Sequence, residues 1–175
     1  MGPKAYLAAS KFGDLSPATA HEGAKLVQDA LALHFMVQLS LVADAEPRLA
    51  ARKMGRVHHR VLYFAHFAPG ITVGELLSVL GVKHQNIQAP LRRLLEEGYI
   101  LARMSSEDRR LKKLYCSRKG SKLLEYLSGC QHGRIKRAYE NVSPRDVEGY
   151  LKVKSAMLDS QRRDWVRRLV ADSSS

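Results

Sequence analysis

The chain has 175 residues, 45% of them hydrophobic and 26% charged, so it can bury a core within one domain or one compact unit. Its 29 Lys and Arg residues exceed its 17 Asp and Glu residues, which gives a formal net charge of +12. This excess favours a polyanionic partner, nucleic acid ahead of a membrane, and the simpler alternative is a basic surface kept for solubility.

The cysteines and the N-terminus favour the cytoplasm. Cys116 and Cys130 form neither a CxxC motif nor a metal-spaced pair, so a disulfide framework is not expected. The segment Met1–Tyr6 has no apolar signal-peptide core and lacks the Ser or Thr of a myristoylation site at position six. We also expect no apolar run long enough to span a bilayer, and therefore a soluble cytoplasmic protein with no membrane partner.

An N-terminal arm and a long apolar helix are predicted first. Ser16-Pro17 is a favourable helix start, and apolar residues recur every three or four positions from His21 to about Ala45. They cover so much of the helix that a partner subunit is expected to bury part of it. Ala45-Glu46-Pro47 is expected to break or bend this helix, and a second helix is predicted from Arg52 to Phe67.

The stretch Ile71–Gly120 predicts the parts of a winged helix-turn-helix in order. Thr72 and Glu75 form a capping box that begins its first helix. The predicted elements are a helix Thr72–Leu80, a turn at Gly81, a helix Lys83–Glu97, a strand Tyr99–Met104, a loop Ser105–Arg110 and a strand Leu111–Ser117.

The helix Lys83–Glu97 carries an inventory suited to reading a DNA groove. Its apolar positions Ile87, Leu91, Leu94 and Leu95 are expected to face inward. Amides and Arg can bond base edges, Lys and Arg can neutralise phosphates, and Ala can contact a thymine methyl group. The outward residues are Lys83, His84, Gln85, Asn86, Gln88, Ala89, Arg92 and Arg93. Pro90 removes one helical hydrogen bond, to the Asn86 carbonyl, and is expected to bend or loosen the first turns.

The loop between the two strands is predicted to be the wing. Arg109, Arg110, Lys112 and Lys113 place four cations near its tip, suited to phosphates or to the minor groove. Asp108 cannot bind DNA directly, and we expect it to hold one of the two arginines by a charge-assisted bond. The alternative is a solvated charged turn.

Two further helices are predicted after the wing. One runs from Arg118 to about Tyr139. Ser143-Pro144 starts the other, which is expected to continue to about Val170 with an apolar stripe too long for one small core.

The order of these elements resembles the MarR family (multiple-antibiotic-resistance regulators). The strings that carry the resemblance are Val73-Gly74-Glu75-Leu76-Leu77, Leu94-Leu95-Glu96-Glu97-Gly98-Tyr99-Ile100, Ser106-Glu107-Asp108-Arg109-Arg110 and Ser117-Arg118-Lys119-Gly120. The resemblance implies an obligate homodimer formed by the terminal helices, a recognition helix over Lys83–Glu97 and an Asp-x-Arg wing at Asp108 and Arg110. It also implies repression relieved by a small phenolic or aromatic ligand. Pro90 and the pair Cys116-Ser117 depart from the family pattern.

The expected fold is therefore mainly α with a small two- to three-stranded β wing. We expect an N-terminal arm and dimerisation helix over 1–50, a winged helix-turn-helix domain over 51–120 and C-terminal dimerisation helices over 121–175.

An effector site is the least specific expectation. The helix Arg52–Phe67 would line the crevice where the family binds effectors, and Arg56, His58, His59 and Tyr63 could accept an aromatic carboxylate or a phenol. The alternative is that these four are surface or packing residues. A thiol switch is less favoured, because Cys116 is expected to be buried and inert, although Cys130 is expected nearer the surface.

The leading hypothesis is a sequence-specific, ligand-responsive transcriptional regulator, acting as a homodimer on a pseudo-palindromic operator in double-stranded DNA. The alternative is an effector-independent or architectural DNA-binding protein. An enzyme is not expected, because no nucleophile–base pair, metal triad or Gly-rich phosphate loop occurs at recognisable spacing, and no cofactor is expected. A protein–protein adaptor would leave the net charge of +12 unexplained.

Overall fold

The computed structural model describes residues 20–105 and 111–171. It is mainly helical with one three-stranded antiparallel sheet in the order β1-β3-β2, which confirms the predicted fold class. The elements are α1 (Ala20–Ala51), α2 (Arg56–Phe67), β1 (Ile71–Thr72), α3 (Val73–Leu80), α4 (His84–Glu96), β2 (Ile100–Met104), β3 (Lys112–Cys116), α5 (Arg118–Tyr139), α6 (Pro144–Ala156) and α7 (Ser160–Ala171). The predicted helix start at Ser16-Pro17 lies outside the described residues.

The chain forms two compact units, residues 1–40 and residues 41–175. In the first unit, the described part of α1 carries an ion pair between Lys25 and Asp29 at 2.8 Å. It also exposes a stripe of large apolar side chains to solvent. The members of this stripe, between 54% and 70% exposed, are Val27, Leu31, Phe35 and Leu39. Contiguous exposed apolar patches are uncommon on monomeric soluble proteins.

The sequence Gly23–Ala51 is long and apolar enough to cross a membrane by length and composition. The expectation that no apolar run reaches this length was therefore wrong. No Asp, Glu, Lys or Arg occurs between Asp29 and Asp44. This uncharged stretch makes the helix apolar enough to meet the criterion. An apolar helix covered by another protein chain passes the same criterion, and so the observation does not by itself indicate a membrane.

Helix α1 continues through Pro47 to Ala51, so of the two predicted outcomes, a break or a bend, the break does not occur. Proline leaves the carbonyl of Ala43 without its helical donor, but packing on either side offsets that loss. Ala45 and Leu49 are buried in the hydrophobic core. Between them, the guanidinium of Arg48 donates to the Tyr126 carbonyl. These long-range contacts hold the last turns of α1 in helical geometry.

Helices α2, α3 and α4 pack around a common core. The side chains of Leu62, Leu76, Ile87 and Leu94 are fully buried there. The second helix begins four residues later than predicted, and it buries Val61, Leu62 and Ala65, while Val57 and Phe64 are partly buried. Helix α2 is in contact with α4 and α5, so its orientation depends on packing against both.

The predicted capping box begins α3. The Thr72 hydroxyl accepts the Glu75 backbone N–H at 3.2 Å, and the Glu75 carboxylate accepts the Thr72 N–H at 2.8 Å. Helix α3 ends at Gly81, whose φ of 62° favours glycine. The helix-turn-helix thus begins and turns where its sequence predicts.

The wing is paired in an unbroken register. Ile100 lies opposite Cys116 and Met104 opposite Lys112, so the predicted hairpin is present in its described part. The short strand β1 adds to β3 through Ile71 and Leu114 and was not predicted as a strand. Two residues are too few to show alternation, which is why the sequence signal was absent.

The C-terminal segment contains two helices after α5 rather than one. Ser143 caps α6 as predicted, its hydroxyl accepting the Asp146 N–H at 3.2 Å. The expected continuation to Val170 is wrong, because the chain leaves the helix after Ala156 and Asp159 begins a new one, accepting the Arg162 N–H at 2.8 Å. The interruption brings Trp165 against Phe64, with ring centroids 6.0 Å apart.

Candidate DNA-binding interface

The core fixes which face of α4 meets solvent. Ile87, Leu91 and Leu94 are buried, as predicted, and Leu95 is partly buried. The polar face on the opposite side is exposed along its whole length. Its exposed members are Lys83, His84, Gln85, Asn86, Gln88, Ala89 and Arg92. One continuous face therefore presents cations, amides and a methyl group together, as a groove-reading helix requires.

Two of these side chains are paired. The Gln88 amide nitrogen lies 3.0 Å from His84 Nδ1, and an amide nitrogen can only donate. When this hydrogen bond forms, His84 Nδ1 accepts, and the Gln88 carbonyl oxygen remains as a further acceptor at the start of the helix.

Pro90 does not interrupt α4, which is continuous from His84 to Glu96. It is partly buried, next to the buried Leu91 on the inner side. Ile87 before the proline and Leu91 after it are both buried in the core. This burial holds the two sides of Pro90 in one continuous helix.

Arg92 and Arg93 are neighbours in sequence but have different surroundings. The Arg92 side chain is 75% exposed, and its nearest acid, Glu96, is 3.9 Å away. The Arg93 side chain is 33% exposed, and its Nε donates to Glu97 at 2.5 Å. Arg93 also donates to the backbone carbonyls of Arg52 and Lys53. The structure thus directs the Arg93 guanidinium into the protein and leaves Arg92 on the exposed face.

The strands of the wing carry cationic side chains in addition to those of the loop. Lys112 is exposed at the end of β3, and Lys113 is partly buried. Across the hairpin from Lys113 lies Arg103, whose guanidinium stacks 5.3 Å from the ring of Tyr115. Arg103 is not among the predicted wing residues, although it is a cation in the predicted strand Tyr99–Met104 next to the wing loop. The predicted tip residues Asp108, Arg109 and Arg110 lie outside the described residues.

These parts define a winged helix-turn-helix: a capped helix, a glycine turn, a second helix with an exposed polar face, and a β-hairpin. A model of the MarR family matches residues 53–111. The HTH-type transcriptional regulator PetP of Rhodobacter capsulatus is 36% identical over 129 residues, spanning 74% of this chain and 78% of that protein. The chain belongs to the MarR family, a family of non-enzymatic transcriptional regulators, and this confirms the resemblance seen in its motifs.

Solved structures show the same fold. A MarR-family regulator from Silicibacter pomeroyi matches with a TM-score of 0.65 at 17% identity, over 74% of this chain and 87% of that one. A mutant of S. aureus MepR bound to an oligodeoxyribonucleotide matches with a TM-score of 0.50 at 18% identity, over 73% of this chain and 94% of that one. Proteins that are 17% and 18% identical to this chain therefore share its fold.

The four predicted effector residues are each engaged within the protein. Arg56 forms an ion pair with Glu46. His58 accepts the Gly55 backbone N–H at 3.1 Å through Nδ1, and His59 Nε2 lies 2.9 Å from the Ser128 hydroxyl. Tyr63 packs on Phe67 with ring centroids 4.6 Å apart.

A cavity of about 310 Å³ lies elsewhere, between α3 and α7. Its walls include the indole of Trp165 and an ion pair of Arg168 with Glu75 at 2.8 Å. Its remaining lining residues are Ser78, Gln161 and Asp164. Within the described part of the chain, no three His, Cys, Asp or Glu side chains are grouped so that they could hold a metal ion.

Burial lowers the pKa of His59 below its ordinary value near 6.5, with smaller contributions from the positive charges of Arg60 and His132. The unfolded chain therefore takes up a proton at a pH where folded His59 stays neutral. Its contribution to stability is complete above about pH 6.5 and is lost as the pH falls to the folded pKa. We expect the His59→Gln variant to show a flatter rise in unfolding free energy with pH in this window, measured by urea unfolding. An unchanged pH dependence would show that His59 is not protected from protonation.

The surroundings of Cys116 do not activate its thiol. Cys116 is partly buried rather than fully buried, and burial raises the pKa of its thiol. Its Sγ lies 3.8 Å from the Ser121 hydroxyl. Cys130, which was expected nearer the surface, is also partly buried. A raised pKa disfavours the thiolate that a redox sensor needs.

Proposed function

We propose that this protein is a sequence-specific DNA-binding regulator that represses transcription from an operator in double-stranded DNA. The observation that carries the proposal is the exposed face of α4, where cations and amides lie opposite the buried side chains of Ile87, Leu91 and Leu94. The net charge of +12 supplies the sequence-independent attraction to phosphates. The relation to a DNA-bound MepR mutant, and to a curated HTH-type transcriptional regulator, supports the same assignment.

The proposed contacts come from α4 and from the wing. Base edges and phosphates would meet the exposed residues of α4, and the flanking backbone would meet the hairpin. The α4 contacts are Lys83, His84, Gln85, Asn86, Gln88, Ala89 and Arg92. The wing contacts are Arg103, Arg109, Arg110, Lys112 and Lys113, with Asp108 holding an arginine. Arg93 is not carried into this set, because its guanidinium is bonded within the protein.

A homodimer is proposed because α1 and α6 each expose large apolar side chains. Val27, Leu31, Phe35 and Leu39 form one stripe of α1, and α6 exposes Leu151 and Val153. A single chain leaves these side chains in water, whereas a second copy would bury them and place two recognition helices on repeated half-sites. Sedimentation equilibrium tests this, and a strictly monomeric protein at micromolar concentration would contradict it. Burial of α1 by the second copy would also explain why this helix is so apolar in a protein that we propose to be cytoplasmic.

The function is tested by fluorescence anisotropy with DNA from upstream of the protein's own gene against a scrambled duplex, near 0.15 M salt. Tight, competitor-resistant binding to the upstream fragment would support a specific regulator. Equal, salt-labile binding to the tested duplexes would favour the architectural alternative. A reporter gene fused to the upstream region tests the direction of regulation, since repression requires expression to rise when the protein is removed.

Release by a small aromatic carboxylate or phenol remains part of the proposal. The support is the family membership together with the predicted site residues on α2, which are Arg56, His58, His59 and Tyr63. Titrating salicylate into the anisotropy assay tests it: displacement of the operator would support an effector, and unchanged binding would favour effector-independent regulation. The thiol-switch alternative has less support, because burial raises the pKa of Cys116.

Arg110→Ala is expected to weaken binding to the operator and to the scrambled duplex alike. A wing arginine on a phosphate contributes counterion release but no base reading, so the salt slope of log Kobs should become smaller by about one unit. The measurement is a salt titration of anisotropy on the two duplexes. If neither affinity nor slope changes, the wing is not a DNA contact.

A further inference from the structure

We propose that Arg93 is a positioning residue, which locks the recognition helix to the turn that ends α1 and does not itself contact DNA. This inference rests on the proposed DNA-binding function. It reassigns a residue that the sequence alone places among the DNA contacts.

The guanidinium is used on each of its donor edges. Nη2 donates to the Arg52 carbonyl at 3.0 Å, Nη1 donates to the Lys53 carbonyl, and Nε donates to the Glu97 carboxylate at 2.5 Å. A planar fork with fixed donors can hold two adjacent carbonyls and a carboxylate at once, which a lysine ammonium on a flexible stem cannot reproduce. Arg93 thus joins α4 to a segment about forty residues earlier in the chain.

The turn that receives Arg93 is itself a fixed structure. Lys53 has a φ of 51°, in the left-handed region. The N–H groups of Arg52 and Met54 both donate to the Leu49 carbonyl, at 3.0 and 2.9 Å. The Leu49 and Met54 side chains are buried in the core. The two carbonyls bound by Arg93 are therefore held in place from the α1 side.

A second contact holds the same end of α4 from the other direction. The Lys119 ammonium donates to the Glu97 carbonyl at 2.7 Å, just beyond the last turn of α4. With Arg93 on one side and Lys119 on the other, the C-terminal half of α4 is fastened to the end of α1 and to the start of α5. The exposed face of α4 is then presented to DNA at an angle set by these attachments. A shift at the end of α1 would be passed to α4 through Arg93.

Arg92 and Arg93 give an internally matched test. Each has a glutamate four residues later, but Arg92 is 75% exposed and Arg93 is 33% exposed. Arg92→Ala, Arg93→Ala and Arg93→Lys would be compared with the parent protein in salt titrations on the upstream fragment and on a scrambled duplex. Hydrogen exchange of the Met54 amide would be followed in the same proteins without DNA.

For Arg92→Ala we expect a salt slope smaller by about one unit on each duplex and unchanged Met54 exchange. For Arg93→Ala we expect an unchanged slope on scrambled DNA, a ratio of specific to non-specific affinity reduced about tenfold, and faster Met54 exchange. Arg93→Lys should resemble Arg93→Ala, since it restores the charge but not the fork.

A slope reduced by about one unit in Arg93→Ala and restored in Arg93→Lys would identify a phosphate contact and overturn the proposal. Unchanged Met54 exchange in both Arg93 variants would also overturn it. If the parent protein fails to distinguish the two duplexes, the proposed specific function is contradicted, while the Met54 exchange still decides whether Arg93 holds the turn. Exchange does not depend on DNA, so the two failures are separable.

Discussion

Gly120→Ala is expected to lower the free energy of unfolding by about 3 kcal/mol. A Cβ at this buried position would lie 2.2 Å from the Tyr99 carbonyl oxygen and 2.8 Å from Cys116 Sγ. The carbonyl cannot move freely, because it accepts the Ser117 N–H at 3.0 Å where β2 and α5 meet. Relief of the clash would therefore displace the start of α5 from the wing. Urea unfolding at a fixed protein concentration measures the loss.

Gly74→Ala is the matched control for this prediction. Gly74 lies inside α3, and a Cβ there would meet no atom within 4 Å. Because alanine favours helical backbone over glycine, this variant should be unchanged or more stable by up to about 1 kcal/mol. Equal stabilities for the two variants would show that the close approach of Gly120 to Tyr99 is not maintained in solution.

Gln85→Ala is expected to reduce discrimination between the operator and other DNA by about tenfold to a hundredfold. A side-chain amide that pairs with a base edge contributes about 1–3 kcal/mol of discrimination, whereas its loss leaves phosphate contacts intact. Gln85 lies in the first turn of α4, on the exposed side away from Ile87. Asn86→Ala should act in the same way. Competition binding against scrambled DNA gives the ratio directly.

Lys112→Ala supplies the comparison for the base-reading variants. Lys112 is exposed at the end of β3, and a phosphate contact there should weaken binding to operator and scrambled DNA by similar factors. The ratio of the two affinities would then stay near that of the parent protein. If Gln85→Ala and Lys112→Ala gave the same pattern, the division between base reading by α4 and backbone contact by the wing would be contradicted.

Much of the DNA-binding unit could be predicted because its determinants are local. The capping pair Thr72–Glu75 satisfies backbone groups within four residues, so it acts in any tertiary setting, and the pair Ser143–Asp146 does the same for α6 outside this unit. The spacing of Ile87, Leu91 and Leu94 defines one apolar side of a helix, and its rotation in the fold follows from burying that side. The other side of α4 is its exposed polar face. Of the residues predicted on that face, only Arg93 is partly buried.

The sequence alone determined the helix-turn-helix, its wing and the family. The tertiary structure decided the features that depend on distant partners: Pro47 stays helical because Ala45 and Leu49 are packed in the core, and the C-terminal helix divides where Trp165 can reach Phe64. It also turned Arg93 inward, since the carbonyls that bind its guanidinium come from the end of α1. Local propensity and periodicity operate over a few residues, whereas burial and charge pairing are settled only when remote segments meet.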